Sequence, residues 1–239
     1  MLHLLDPNNP EAPFPDIDLA EKEPNGLLAL GGDLSPKRLI NAYRHGIFPW
    51  YSDGQPILWW SPNPRAVLFP KQLKVSRSLQ KTLRNKPFKV SFDRHFDHVV
   101  QSCAIPREDG HGTWITTEIE AAYIQLHEQG LAHSVEVWLE EKLVGGLYGV
   151  AIGSVFFGES MFSTVSDASK VGFVHLTSHL IKWGYQLIDC QVYSNHLSSL
   201  GAQEITRDCF SDHLKQWCSQ PSTEERWLST PTSPLFTLK

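Results

Sequence analysis

The chain has 239 residues, 41% of them hydrophobic and 20% charged, and it carries a formal net charge of −5. This length suits one large domain or one domain with a smaller module, and the composition excludes a disordered chain. No apolar run reaches the roughly 18 residues of a membrane helix, and the first residues lack the pattern of a signal peptide. The four cysteines form no CxxC pair and no zinc-like spacing with histidine, which favours reduced thiols, no bound metal and a cytoplasmic protein.

The N-terminal part predicts short elements between turns. A short apolar strand lies between the glycines of 26–32, and Ser35 caps a helix over Lys37–His45 that Gly46 ends. The next segment, Phe48–Arg65, contains four prolines and cannot be a helix. Its tryptophans either seal a small subdomain or offer stacking surfaces to bases.

Basic residues concentrate in the segment that follows. Eight lie from Arg65 to Lys89 with no acidic residue among them, and removing them from the 21 Lys and Arg leaves 13 against 26 Asp and Glu, a net of −13. Within the segment, Ser76 caps a predicted amphipathic helix over 77–85. Three basic residues share the outer face of this helix: Arg77, Lys81 and Arg84. Such a stripe is typical of a surface that binds a polyanion such as nucleic acid, and a solvated helix face is the alternative.

The rest of the chain changes from helices to strands. Up to residue 130 we expect a strand at 88–92 and helices at 96–103 and 117–129, the last capped by Thr117. Beyond it we expect, in order, strands at 133–140, 143–151 and 154–158, a helix over Ala168–Trp183, a strand at 185–192, and helices at 195–200 and 210–218. This order of a meander, a long helix and a further strand resembles the N-acetyltransferase superfamily. The resemblance implies an α+β fold with a mixed, mostly antiparallel sheet.

The stretch from Leu143 to Phe162 predicts a buried hairpin with its turn at Ile152-Gly153. Four glycines leave one face of this hairpin nearly without side chains: Gly145, Gly146, Gly149 and Gly158. Such a cluster marks a bulge or a place where a ligand or another backbone comes close, and a hairpin whose glycines relieve crowding is the alternative. Glu159 follows directly and places a carboxylate at the mouth of this aromatic, glycine-lined run.

Strand alternation predicts that Asp189 and Gln191 share one face of the strand LIDCQV. A carboxylate and a carboxamide two residues apart can form an oriented hydrogen-bond relay. Because an unpaired buried charge is costly, we expect Asp189 to have a partner. A structural network that joins neighbouring strands is the alternative interpretation.

Other chemistries fit the sequence less well. Residues 158–162 do not form GxSxG, because Phe162 replaces the second glycine, so we expect no nucleophile elbow. His175 and His179 lie four apart on a helix but lack the adjoining Glu of a zinc protease, which favours ordinary core or surface histidines. The sequence contains no Walker A or dinucleotide fingerprint, and we expect no cofactor.

Four stretches together resemble one family: 24–50 (PNGLLALGGDLSPKRLINAYRHGIFPW), 59–68 (WWSPNPRAVL), 143–162 and 187–202 (LIDCQVYSNHLSSLGA). They are similar to the leucyl/phenylalanyl-tRNA protein transferases, which add Leu or Phe to proteins that begin with Arg or Lys. The chain departs from that family at Asn63, where Asp is usual, and at Gly172, which interrupts the long helix. The segment after Cys218 has no clear counterpart.

The resemblance implies a small N-terminal domain over 1–64 and an N-acetyltransferase-like catalytic domain over 65–239. It implies an aminoacyl-tRNA donor that carries Leu, Phe or Met, an acceptor protein or peptide with N-terminal Arg or Lys, and a role in N-end-rule degradation. We expect a cytoplasmic monomer. The residues that match the family's substrate pocket are Trp50, Trp114, Leu147, Phe156 and Gly158. Those that match its catalytic groups are Asp189, Gln191 and Glu159, the last beside the donor ester.

Two other interpretations stay open. One is an enzyme that uses acyl-CoA on the same fold, although residues 163–170 lack the glycines that normally hold the CoA pyrophosphate. The other is a non-catalytic tRNA-binding module, which the basic helix and the tryptophans would allow. Competable CoA binding would favour the first, and alanine substitutions at Asp189 and Gln191 without effect on any activity would favour the second.

Overall fold

The computed structural model of the protein describes residues 2–105, 114–221 and 227, which form an α+β fold with two sheets. The smaller sheet is N-terminal and has the order β1-β2-β4-β3, with β1 parallel to β2 and the other pairs antiparallel. Its elements are β1 His3–Leu5, β2 Leu27–Gly31, α1 Pro36–Arg44, β3 Phe48–Pro49 and β4 Leu58–Trp60.

The larger sheet begins at Arg65 and has seven strands in the order β11-β5-β10-β9-β8-β7-β6. Only β9 and β10 pair in parallel among these strands, so the sheet is mixed and mostly antiparallel, as predicted. Its strands are β5 Arg65–Leu68, β6 Lys89–Phe92, β7 Ala132–Leu139, β8 Lys142–Ile152, β9 Val155–Ser163, β10 Leu187–Gln191 and β11 Gln203–Ile205. Its helices are α2 Arg77–Asn85, α3 Phe96–Ala104, α4 Thr117–Glu128, α5 Ala168–Trp183, α6 Asn195–Ser199 and α7 Arg207–Trp217.

Helix caps account for most of the element boundaries. Ser35 and Ser76 accept backbone N–H bonds at the starts of α1 and α2, as predicted. Thr116, and not Thr117, caps α4, and its side chain accepts a hydrogen bond from the backbone N–H of Ile119. Thr206 caps α7 in the same way, so this helix begins earlier than the predicted residue 210.

The larger sheet lies between two layers of side chains. On one face, α5 packs against apolar residues of β7 to β10, such as Leu147, Phe156 and Ile188. On the other face, α3, α4 and the N-terminal part share a core that includes Tyr43, Trp59 and Phe157. The N-terminal part therefore packs directly on the sheet, close to the centre where β9 and β10 run in parallel.

The glycines of β8 mainly permit close packing. A β-carbon on Gly145 would lie 2.7 Å from that of Ala168, and one on Gly149 would lie 2.2 Å from the carbonyl oxygen of Phe157. The register also shifts between Tyr148 and Gly149, which is the bulge that the glycines predicted. For these two positions the crowding interpretation is correct, whereas a β-carbon on Gly158 would meet only the carbonyl oxygen of Asp189, at 3.3 Å.

Gly149→Ala is expected to destabilise the protein by about 1–3 kcal/mol, because the added methyl group forces the backbone of Phe157 or the ring of Phe156 to move. Urea unfolding followed by circular dichroism measures this change. Gly158→Ala is the control, since its methyl group would meet a single atom, the Asp189 carbonyl oxygen at 3.3 Å, and we expect a smaller loss of under about 1 kcal/mol. Equal destabilisation by both variants would contradict the packing argument.

Candidate active site

A cavity of about 1070 Å³ opens where β9 and β10 separate. The two strands pair only between Val155–Phe157 and 187–189, and β9 then continues to Ser163 without β10 beside it. Because the gap passes between strands, side chains from both faces of the sheet reach the same space. All eight predicted catalytic and substrate-binding residues line this cavity: Trp50, Trp114, Leu147, Phe156, Gly158, Glu159, Asp189 and Gln191.

Glu159 lies inside β9, and not beyond the end of a shorter strand as the sequence predicted. Its carboxylate accepts three hydrogen bonds. Tyr43 donates to Oε1 at 2.8 Å, Tyr123 donates to Oε2 at 2.6 Å, and the carboxamide of Gln191 donates to Oε1 at 2.8 Å. The two hydroxyl oxygens also lie in contact with each other, but each hydroxyl has a single proton, and it donates that proton to Glu159. Neither tyrosine was predicted from the sequence as a site residue, although both are fully buried polar groups on helices.

Burial raises the pKa of Glu159 to about 7, and the hydrogen bonds from Tyr123, Tyr43 and Gln191 partly oppose that rise. The negative charge of Asp189 raises it further. Burial also raises the pKa values of Tyr43 and Tyr123 well above the usual range, so both stay protonated and donate. The site therefore holds a carboxyl group that can bind or release a proton near neutral pH.

Asp189 has the partner that its burial requires. Arg65, the first residue of β5, donates Nε to Oδ1 at 2.8 Å and Nη2 to Oδ2 at 2.6 Å. The guanidinium also lies 4.7 Å from the ring centres of both Phe48 and Phe210. Arg65 is buried with Asp189, so it is not part of the cationic surface in which the sequence analysis counted it. One sequence signal could have identified Arg65 as a buried partner of a carboxylate: it is a charged residue at the start of the otherwise apolar strand RAVL.

The strand argument that related Asp189 to Gln191 is wrong in its geometry. Gln191 has a φ of 62°, and the register against β5 shifts between the two residues, so alternation does not hold there. Asp189 instead accepts the backbone N–H of Gln191 at 2.9 Å, while the Gln191 carboxamide turns to Glu159. The carboxamide is therefore fixed by Glu159, and Asp189 fixes the backbone that carries it.

The apolar residues of the cavity lie on two sides. Leu147 and Phe156 are buried on the α5 face, whereas Trp50 is 43% exposed at the rim. Trp50 packs on Trp60 with ring centres 5.8 Å apart, and Trp60 donates its indole N–H to the Trp50 carbonyl at 2.6 Å. Trp59, by contrast, is fully buried in the N-terminal core. Of the two predicted fates, Trp59 therefore seals the core, and Trp50 offers an exposed ring surface.

The three predicted nucleic-acid contacts do not line the cavity but lie beside it. Arg77, Lys81 and Arg84 are exposed on α2. Thr82 of the same helix donates to Asp167 at 3.0 Å, and Lys86 donates to the Ser166 carbonyl at 3.1 Å. These bonds tie α2 to the start of α5, where Ser163, Thr164 and Ser169 line the cavity.

The start of α5 is poorly suited to a CoA pyrophosphate. Asp167 is the residue before the helix, in a left-handed conformation, and its carboxylate makes no capping bond. Its side chain bonds to Thr82 and lies 3.8 Å from the ammonium group of Lys170. A fixed carboxylate at this helix end repels a phosphate, which agrees with the absence of glycines from residues 163–170.

Within the described ranges, no group of three His, Cys, Asp or Glu side chains is placed to hold a metal ion. His175 is buried in α5, and burial lowers its pKa to about 4. His179 packs on Phe92 with ring centres 4.5 Å apart. Both are core histidines, as predicted. Among the helices of the part of the chain described, none has the length and apolar character to span a membrane.

The larger sheet combines a meander, a long helix and a strand that pairs in parallel with the last meander strand, which is the N-acetyltransferase-like order that the sequence predicted, with polar groups in the gap between the two strands. The family model described as leucyl/phenylalanyl-tRNA protein transferase matches residues 67–215, and the model of that family's N-terminal domain matches residues 32–63. The chain belongs to the leucyl/phenylalanyl-tRNA protein transferase family and is an aminoacyltransferase.

Relatives support the same conclusion along most of the chain. The leucyl/phenylalanyl-tRNA–protein transferase of Nitrosospira multiformis is 59% identical over 90% of this chain and 92% of its own. That of Pseudomonas aeruginosa is 61% identical over 88% of this chain and 93% of its own. A distant similarity extends to a solved structure, a GCN5-related N-acetyltransferase from Kribbella flavida, at 9% identity and a TM-score of 0.34 over 72% of this chain and 61% of that chain.

Proposed function

We propose that this protein transfers Leu or Phe, with Met as a third donor residue, from aminoacyl-tRNA to the α-amino group of proteins that begin with Arg or Lys. The product would be a protein marked for N-end-rule degradation. The observation that carries the proposal is the single cavity that the eight predicted site residues line. Family membership favours this reaction over acyl-CoA chemistry and over a non-catalytic module.

The reaction is the aminolysis of an ester, and its demands match the contents of the cavity. The α-amine of the acceptor has an ordinary pKa of about 7.7, so a useful fraction is neutral at pH 7. Positioning of the amine against the ester therefore supplies much of the rate. Gln191, held by Glu159 and by the backbone bond to Asp189, has a fixed carboxamide that can orient the amine.

The apolar side of the cavity supports a donor with a large apolar side chain. Leu147 and Phe156 are buried there, and Trp50 and Trp114 lie at the same space. Each methylene of difference between donors changes binding by only about 1–3 kcal/mol, so we expect graded preference among Leu, Phe and Met. On the acceptor side, the acidic remainder of the chain suits a cationic N-terminal residue.

The exposed basic face of α2 supports contact with the phosphates of tRNA. It lies beside the cavity through the bonds of Thr82 and Lys86 to the start of α5. Phosphate contacts position a nucleic acid without reading its sequence, so this face would accept the different tRNAs that carry Leu, Phe or Met.

Charge reversal on this face, Lys81→Glu with Arg84→Glu, is expected to raise the apparent KM for aminoacyl-tRNA and to make its salt dependence shallower. Loss of two phosphate contacts reduces the slope of log affinity against log salt by about 1–2. The measurement is KM for leucyl-tRNA between low and physiological salt. Lys37→Glu with Lys215→Glu is the matched control, since both side chains are exposed on other helices and the charge change is equal. An unaltered slope in the α2 variant would remove this surface from the proposal.

The central experiment is transfer of radiolabelled leucine from leucyl-tRNA to a peptide that begins with Arg. The same peptide with an acetylated amine is the control. Label on the free-amine peptide alone supports donor, acceptor and reaction together. Binding of tRNA without transfer would instead favour a non-catalytic module.

Three further parts of the proposal concern the whole molecule. We place the domain boundary after residue 64, which the change of sheet between β4 and β5 supports. We also propose a monomer, for which sedimentation equilibrium is the test. A cytoplasmic location follows from the proposed donor, because aminoacyl-tRNA is a cytoplasmic substrate.

A further inference from the structure

The carboxylate of Glu159 is held by two tyrosines from different parts of the chain. Tyr43 comes from α1 in the N-terminal part, and Tyr123 comes from α4. Both side chains are fully buried, and each donates to a different carboxylate oxygen. Because both hydroxyls are buried, water does not readily replace them as donors, and the two bonds fix the orientation of the carboxylate. The N-terminal part therefore contributes directly to the polar centre of the cavity.

The other two predicted catalytic groups of the cavity are poor proton acceptors. The carboxamide of Gln191 has almost no basicity. Both oxygens of Asp189 are occupied by the guanidinium of Arg65, and this carboxylate is fully buried. Glu159 is only partly buried and lines the cavity, so a ligand in the cavity can meet this residue.

We propose that Glu159 accepts the proton that the acceptor amine loses during transfer, and that Tyr43 and Tyr123 are positioning residues that hold its carboxylate for this step. The proposal rests on the function proposed above. Through Tyr43, the N-terminal part would help to position the group that accepts the proton.

The step balances in atoms and charge. The amine nitrogen attacks the ester carbonyl carbon, and a new C–N bond forms. Glu159 takes one proton from the resulting ammonium centre and becomes a neutral carboxylic acid. The bond between the carbonyl carbon and the ribose oxygen then breaks, and that oxygen receives the proton from Glu159. The products are an amide and a free ribose hydroxyl, and Glu159 returns to its carboxylate form.

The proton affinity of Glu159 suits this role. A general base is most effective when its pKa lies near the working pH, and burial brings the pKa of Glu159 to about 7. The titratable and charged groups that face it from neighbouring elements are Tyr43 of α1, Tyr123 of α4, Tyr148 of β8, Asp189 of β10 and, through Asp189, Arg65 of β5.

Tyr43→Phe removes a donor that favours the charged form of Glu159. The pKa of the carboxyl group must then rise, by about one unit for a single charged hydrogen bond. Because the deprotonated form is the active one, the acid limb of the rate profile moves to higher pH by the same amount. Tyr123→Phe is expected to act in the same direction.

Tyr148→Phe is the matched control. Tyr148 is also a buried tyrosine beside this site, but its hydroxyl has no hydrogen-bond partner among the described residues. Removing that hydroxyl takes no donor from Glu159. The acid limb is therefore expected to stay where it is in the unsubstituted protein.

Two measurements are made on each full-length variant. Carbon-13 NMR of protein labelled at the glutamate carboxyl group gives the pKa of Glu159 without substrate, with Glu159→Gln for assignment. Single-turnover transfer from leucyl-tRNA to the Arg-peptide gives the rate against pH. The acceptor amine titrates in the same range, but its contribution is common to all variants, so only differences between variants are interpreted.

We expect the acid limb to follow the NMR pKa across Tyr43→Phe and Tyr123→Phe, with KM for leucyl-tRNA unchanged. We also expect Glu159→Gln to lower the rate by about 10²–10⁴-fold and Glu159→Asp to recover part of it. If the unsubstituted protein transfers leucine but the acid limb of the rate does not shift with the NMR pKa of Glu159 in the tyrosine variants, the proton-transfer role alone is overturned. Absence of transfer in the unsubstituted protein would overturn the proposed function and this role together.

Discussion

Arg65→Met is expected to lower the free energy of unfolding by about 3–5 kcal/mol. The substitution keeps most of the buried volume but leaves the carboxylate of Asp189 without the two N–H bonds that compensate its charge. Both side chains are almost wholly buried, so water cannot replace the guanidinium. The guanidinium also donates to the Gly46 carbonyl at 3.1 Å, and that contact between the N-terminal part and β5 is lost too. Urea unfolding at neutral pH measures the change.

Two controls separate the buried charge from the loss of an arginine. Arg207→Met removes another buried arginine, but one whose guanidinium donates to the backbone carbonyls of Ser61 and Ile17. Its loss leaves neutral groups unpaired and is expected to cost about 1–3 kcal/mol. Arg65→Met combined with Asp189→Leu should be more stable than Arg65→Met alone, because no charge then remains uncompensated. A double variant as unstable as the single one would show that packing, and not charge, dominates.

Local signals predicted the helices closely. Ser76 begins α2, and the amphipathic pattern of Leu79 and Leu83 carries it to Asn85, as predicted. The long helix Ala168–Trp183 also has the predicted bounds, since Gly184, with a φ of 86°, ends it in a left-handed conformation. In both cases the information lies within one or two turns of the boundary, where sequence reasoning is strongest.

The length of β9 could not be predicted in the same way. After Gly158 the polar residues Glu159, Ser160 and Ser163 resemble a loop, yet the strand continues because Gly145–Tyr148 of β8 pairs with residues 160–163. A strand can persist through polar residues when its partner satisfies its backbone. That partner is distant in the sequence, and the consequence for function is direct, since Glu159 sits on a rigid strand and not on a loop.

The site residues divide in a similar way. Resemblance to a family supplied the residues that line the cavity, but the groups that hold them were missed. Tyr43 lies 116 residues from Glu159, and Arg65 lies 124 residues from Asp189. No periodicity or spacing connects residues so far apart, and only the packing of the N-terminal part on the sheet brings them together.

Trp227 is the one residue that the structure describes beyond residue 221, and it lies outside the matched family ranges. Its indole is 1% exposed, stacks on His133 with ring centres 4.1 Å apart and donates to the hydroxyl of Tyr185 at 3.2 Å. It also packs on Phe156 at 5.8 Å, and Phe156 lines the cavity. Trp227, in a part of the chain to which no role was assigned from the sequence, thus packs against one wall of the proposed donor pocket on the side away from the cavity.

Trp227→Ala is therefore expected to lower the free energy of unfolding by about 3–5 kcal/mol, the range for deleting a large buried aromatic side chain. Because the cavity left behind removes the support of Phe156, the ratio of leucine to phenylalanine transfer should change as well. Urea unfolding and competition between the two aminoacyl-tRNAs measure these effects. Trp227→Phe keeps an aromatic ring against His133 and should cost much less, while Leu4→Ala, at a side chain 77% exposed, should cost almost nothing. If Trp227→Ala lowers stability but leaves the ratio of leucine to phenylalanine transfer unchanged, Trp227 stabilises the core and has no part in donor selectivity.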